Sequence, residues 1–152
     1  MAEFSGVAQT VQPNETITYS IVNVPCYRGL VMHDPSSGNF LLKGTLQNGG
    51  YSQRCCCRKN SRDSLYLVSV GANIAVPEGQ TVGEISIAIA VDGGTLSNTT
   101  MRATPAAVEE FANVSRTTNV SIFSGCCQTV TVKNTSTIPI LVSEPNIVFQ
   151  IA

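Results

Sequence analysis

The chain has 152 residues, of which 43% are hydrophobic and only 12% charged, with a formal net charge of −1. That length suits one domain, residues 1–152, with a sizeable core. The low charge and positive mean hydropathy exclude a disordered chain, and near neutrality excludes the broad basic face that nucleic-acid binding requires.

In chain order, Met1–Gly6 carries neither a basic n-region nor an apolar h-region, so a protein made without a secretory signal is expected. Alternation of polar and apolar residues predicts a strand over Thr16–Val22. Leu30–Met32 and Phe40–Leu42 are further strand runs. Between them His33 and Asp34-Pro35-Ser36-Ser37-Gly38 read as a turn, with the imidazole facing solvent. Asn48-Gly49-Gly50 is a hairpin turn, and the basic residues Arg54, Arg58, Lys59 and Arg62 read as a solvated loop around a cysteine run. Leu65–Val70, Glu84–Val91, Asn119–Phe123, Gln128–Lys133 and Ile147–Ile151 complete the strand signals, punctuated by Pro77-Glu78-Gly79 and Asp92-Gly93-Gly94. One stretch has helical character. Thr104 is placed to cap a turn or two over 105–111, with Pro105 first and Glu109 and Glu110 following. About eight to ten short antiparallel strands spaced by such turns predict an all-β jelly-roll sandwich with one short helical insert. The last strand ends the sequence, which places Val148, Phe149 and Ile151 in the core or at an interface.

The six cysteines are Cys26, the triplet Cys55-Cys56-Cys57 and the pair Cys126-Cys127. Adjacent cysteines on a strand point to opposite faces, so neither cluster has the two-to-four-residue spacing of a zinc knuckle, and no metal is expected. Buried thiols and disulfides within or between subunits both remain open. All six are therefore cross-link candidates. His33 is the sole histidine and no nucleophile flanks it, Glu109 and Glu110 diverge, and the glycines form no phosphate-binding fingerprint. No enzyme and no cofactor are expected. Five Asn-x-Ser/Thr triplets, at Asn14, Asn98, Asn113, Asn119 and Asn134, read as polar faces of strands rather than glycan acceptors. No apolar stretch approaches the ~20 residues of a membrane-spanning helix.

The stretch from Leu65 through Gly79, leading into Gly83–Gly93 and the small-residue turn Leu96-Ser97-Asn98-Thr99, is similar to the middle of TNF/C1q-like jelly-roll domains of bacterial and phage origin. Gln128–Asn134 and Asn146–Ala152 resemble the two final strands of such domains, in particular the C-terminal domain of collagen-like exosporium glycoproteins. The insert 103–114 and the cysteine clusters resemble small proteins of gut Firmicutes and their tailed phages. The resemblance implies a trimer packed around a threefold axis, with the apolar terminal strand near it. The cysteine runs depart from the family pattern, and no collagen-like stalk is expected before the domain.

Low charge and this resemblance lead to one expectation: a non-enzymatic structural protein that assembles with itself, a homotrimer favoured, as a capsid decoration or head-fibre component at the virion surface. The alternative is a subunit of a disulfide-locked spore-surface layer or extracellular filament at the spore or cell surface. Capsid or other surface-layer proteins are the further partners, and no membrane or nucleic acid is expected. A third reading is a carbohydrate or receptor recognition module at a trimer cleft, for which Tyr27, Tyr51, Tyr66 and Phe111 are the available aromatics.

Overall fold

Strand alternation in the sequence becomes two antiparallel sheets packed face to face. The computed structural model describes residues 1–26, 29–44, 64–123 and 126–151. Among them twelve strands follow in chain order: β1 (Ala2–Ser5), β2 (Gln9–Val11), β3 (Ile21–Val24), β4 (Val31–His33), β5 (Phe40–Lys43), β6 (Ser64–Ala75), β7 (Ile85–Val91), β8 (Gly94–Thr95), β9 (Met101–Ala103), β10 (Ala112–Ile122), β11 (Cys127–Asn134) and β12 (Ile140–Ile151). The first sheet has the order β10-β6-β12-β1-β3, with β2 on the early half of β12; the second has β4-β5-β11-β7-β8, with β9 on the early half of β7. The count exceeds the expected eight to ten because several strands are only two to four residues long.

One face of each strand builds the core. β6 contributes Tyr66, Val68, Val70, Ala72 and Ile74, and β12 contributes Ile140, Val142, Ile147 and Phe149. The second sheet answers with Phe40, Leu42, Ile85, Ile87, Ile89, Val130 and Val132. Sandwich cores of this kind alternate inward apolar with outward polar residues. At the centre, the Phe40 ring stands 4.9 Å from Phe4, 4.9 Å from Phe149, 5.3 Å from Tyr19 and 4.8 Å from His33. These are the tilted and offset separations that aromatic quadrupoles favour.

Turn chemistry explains the hairpins. Asp92 and Gly93 both have positive φ, 51° and 84°, and join β7 to β8 with Val91 opposite Gly94. Positive φ at both central residues is the geometry of the two-residue Asp-Gly hairpin turn. Gly38, at φ 72°, lets the β4–β5 hairpin press on the chain beneath, where a Cβ would stand 2.2 Å from the Ile17 carbonyl oxygen. Pro145 stands within the central strand β12, where a missing N–H would break a ladder. A bulge between Ser143 and Asn146 accommodates it, with Glu144 at φ 52° and the Pro145 carbonyl accepting from Gly6 N at 3.0 Å.

Three expectations are corrected. No helix forms at 105–111; residues 104–111 run through bends and a turn. Glu109 sits at φ 57° and donates its N–H to Val76 O at 2.8 Å. Val108 and Phe111 stay exposed, so no buried face offsets the unfavourable nucleation of so short a helix. The strand expected over Thr16–Val22 is split. Residues 16–20 cross from the second sheet, where Thr16 bridges Lys133 and Ile17 N donates to Val132 O at 2.8 Å, and only Ile21–Val24 joins the first. Ile17 and Tyr19 still alternate into the core, which is the signal the sequence carried. Thirdly, His33 is not in the turn. It ends β4 opposite Phe40, stacks on that ring at 16°, and lies 4.7 Å from Phe4.

Asn134 is a polar node in this apolar interior. It is fully buried, and its amide donates to Val11 O and Ile138 O, each at 3.0 Å, while its Oδ1 accepts from Ser136 N at 2.8 Å. Its backbone holds the crossing segment, donating to Glu15 O at 3.0 Å and accepting from Asn14 N at 2.9 Å. One side chain thus ties β2 in the first sheet to β11 in the second. It is also one of the five Asn-x-Ser/Thr positions, and its burial leaves no room for a glycan. Asn134→Ala strands two carbonyls and one N–H, so chemical denaturation is expected to report a loss of about 2–4 kcal/mol.

His33 generates a second prediction. Its Nε2 is buried without a partner, and burial lowers its pKa below the ordinary 6.5, against smaller raising effects from the Tyr19 backbone and the Asp34 charge. A lowered pKa means the unfolded chain binds the proton more tightly. Stability is therefore full above pH 6.5 and declines as pH falls below it. Asp34, held to about 2 by the Ser37 and Ser36 hydroxyls, acts in a separate window, below its ordinary 3.8. Melting temperature should fall between neutral pH and pH ~5 in the native chain, and His33→Phe should flatten that slope.

Candidate assembly surface

The register of the first sheet fixes what its outer face presents. Along one row Thr117, Ser69, Val148, Glu3 and Val24 lie side by side on β10, β6, β12, β1 and β3. The next row is Ser115, Gly71, Asn146, Ser5 and Ile21, and a third sets Asn119 beside Leu67 and Gln150. Ser69 and Thr117 share a hydrogen bond of 3.0 Å, and Asn146 Nδ2 donates to Glu3 Oε1 at 2.8 Å, so both pairs project from the same side. In the three rows the only charged side chain is Glu3, and it has a partner. The bulge adds Glu144 at the margin, receiving Asn73 Nδ2 at 3.5 Å, while Asn73 Oδ1 accepts from Asn113 at 3.0 Å.

Toward one end of the sheet the exposed residues turn apolar. Leu65 and Ile151 are each 40% exposed, Phe123 is 49% exposed and Met1 68%. Adjacent strands β10, β6, β12 and β1 bring these four to one rim, next to half-buried Leu67 and Val148. Of the residues assigned to core or interface, Phe149 is core, Val148 sits on the outer face, and Ile151 lies at the rim. The terminal strand β12 lies mid-sheet between β6 and β1.

The described cysteines gather at the same end. Cys127 pairs with Lys43, and Gly44 N donates to Cys126 O at 2.8 Å. Lys43 N reaches Leu30 O at 2.8 Å, and Cys26 Sγ accepts from the neighbouring Val31 N at 3.4 Å. Tyr66 binds the same corner, its hydroxyl donating to Lys43 O and Leu30 O. Cys127 is exposed; Cys26 and Cys126 are partly covered. Cys55, Cys56 and Cys57 fall outside the described residues, as do Tyr27, Tyr51 and the four basic residues around the triplet. The described chain stops at Gly44 and resumes at Ser64, both at this end.

Other candidate side chains do not converge. Glu109 and Glu110 lie on an exposed turn, Tyr66 is buried, and Phe111 is 47% exposed. Among the described residues no three His, Cys, Asp or Glu side chains gather as metal ligands would. Sequence reasoning missed Gly71, Asn73 and Glu144. The alternating Asn and Ser of β10, read as a polar strand face, and the placing of Val148 at a core or interface position were the signals pointing to this surface.

No protein-family model matches the sequence, and no curated protein matches it. Solved structures do resemble the fold. The globular domain of zebrafish complement 1qA protein superposes with a TM-score of 0.54 at 11% identity, over 97% of this chain and 96% of that one. The Eiger TNF of S. frugiperda gives 0.56 at 12% identity, over 99% of this chain and 91% of that one. The fold is a C1q/TNF-type jelly roll.

Proposed function

We propose that the protein is a non-enzymatic structural subunit that assembles as a homotrimer through the outer face of the β6–β12 sheet, and that the trimer serves as a capsid decoration or head-fibre component at a virion surface. The observation that carries the reading is the chemistry of that face: five strands wide, made largely of small hydroxyl and amide side chains with Leu67, Val148, Ile21 and Val24 among them, and with Glu3, hydrogen-bonded by Asn146, the one charged side chain of its three rows. Burying such a face against a copy of itself removes apolar area from water, with one carboxylate in its three rows, Glu3, to be accommodated. The C1q/TNF-type fold supports the trimer, because the family that the sequence resembles is typically trimeric with the terminal strand near the axis. Low overall charge supports it too.

A second reading draws on the convergence of Cys26, Cys126 and Cys127 at the apolar rim. Cysteines at an interface margin suit covalent locking of subunits in a surface layer or filament outside the reducing cytosol.

Gly71 tests the assembly face. It lies centrally on that face, its φ is not left-handed, and a Cβ there meets nothing within 4 Å, so the protomer has room for a side chain. Gly71→Arg should keep the melting temperature and convert trimers to monomers in sedimentation velocity at micromolar concentration. Gly83→Arg, equally open but in the segment before β7, should remain trimeric. A monomeric native chain, or an intact Gly71→Arg trimer, would overturn the proposal.

Reductant separates the two readings. Particle mass unchanged by dithiothreitol is expected for packing alone; detergent-resistant ladders that collapse on reduction would favour the cysteine-locked layer.

A further inference from the structure

The second sheet presents a different outer face, cut by an open groove of about 800 Å³. Its floor is Thr129, Thr131 and Lys133 of β11. One wall is the crossing segment with the β4–β5 hairpin, and the other is the Asp92-Gly93 turn. Both walls are braced from within. Thr16 Oγ1 donates to Ser37 O at 2.7 Å, and Thr18 Oγ1 bonds Gln9 Oε1 at 3.1 Å. Opposite, Asp92 Oδ1 accepts from Thr129 N at 2.9 Å, and Lys133 Nζ reaches Gly93 O at 3.3 Å. The groove is therefore preformed, as ligand sites usually are.

Several polar groups remain without protein partners. The Asn14 and Asn39 side-chain amides, the Thr129 hydroxyl and the second Asp92 oxygen make no hydrogen bond among the described residues, and both amides and Asp92 are exposed to the groove side. Thr131 is 5% exposed, and its Oγ1 is buried with no partner. Buried polar groups are almost always satisfied, so an orphan hydroxyl in the floor of a preformed groove marks a site with an unmet need.

Charge and chemistry narrow the occupant. Glu15 and Asp92 outweigh Lys133, which disfavours phosphates and nucleic acids. Two carboxylates with an ammonium among them do not make a divalent-cation cage. No aromatic or large aliphatic side chain lines the groove, so an apolar ligand finds no wall. What remains is a neutral, hydroxyl-rich chain, whose groups both donate and accept as amides, hydroxyls and a carboxylate require.

We propose that this groove binds a neutral saccharide, held between Asn39 and Asp92 over Thr131. The site lies on the sheet opposite the assembly face and does not depend on the oligomer.

The test is titration of the full, nitrogen-labelled chain with neutral oligosaccharides built from glucose, mannose, galactose and N-acetylglucosamine, read by calorimetry and by amide shifts. At least one sugar should bind at millimolar concentration or below, with shifts confined to Asn39, Asp92, Thr129, Thr131 and their neighbours. Asn39→Ala and Asp92→Asn should each weaken binding by about tenfold with an unchanged melting temperature. Thr131→Val should weaken binding while raising the melting temperature, a pair of effects that a purely structural hydroxyl would not give. No binding by any of these sugars, shifts mapping elsewhere, affinity untouched by the Asn39 and Asp92 variants, or occupation of the groove by inorganic phosphate or calcium instead would each overturn the proposal.

Discussion

The sandwich closes on the Phe40 ring. That one side chain, on β5, touches rings from β1, β4, β12 and the crossing segment, so both sheets meet on it. Its neighbours set the registers that follow. Phe4 and Phe149 can reach it together only if β1 and β12 are adjacent, as the pairing of Phe4 with Ile147 and Ala2 with Phe149 confirms. Once Phe149 points inward, strict alternation turns Val148 and Gln150 outward. The outer face of the first sheet is thus a consequence of how the aromatic core is filled.

Two outer faces of different shape result. On the first sheet, strands up to twelve residues long run side by side, and their outward positions are mostly uncharged, with Glu3 in the rows and Glu144 at the bulge, which leaves a broad, flat surface. On the second, the β4–β5 hairpin and the Asp92-Gly93 turn rise above short strands and enclose a groove. On the proposed reading, a subunit would be held by one side and offer the other to a ligand.

The likeness to C1q and TNF globular domains at 11% and 12% identity has a physical basis. A jelly roll asks for apolar residues at alternate positions, turn formers at the ends and a central terminal strand. Many side chains meet those needs, and cores accept wide substitution when volume and pattern are kept. Shared fold therefore carries little shared site chemistry. The cysteine corner, the Asn134 node and the polar groove have to be read from this chain's own residues.

Much of the fold was legible locally. Ile85–Val91, Cys127–Asn134 and the end of β12 announce themselves by period, and Asp92-Gly93 by the positive φ that its residues tolerate. Where local and tertiary demands disagreed, the sequence misled. Residues 105–111 have a capped helical pattern but no face to bury, and Thr16–Tyr19 alternate like a strand while crossing between sheets. His33 looked like a turn residue because its ring's partners, Phe4 and Phe40, are distant or across a hairpin. Both surfaces lay beyond local reading for the same reason. The proposed assembly face joins residues 3, 71, 117 and 148, and the groove joins 39, 92 and 131. The period of a strand tells which of its residues share a side; which strands lie together, and in what register, is decided only when the whole core packs. By itself the sequence determined a β-sandwich with its inward residues and hairpins, and the tertiary structure alone decided what those strands present to the outside.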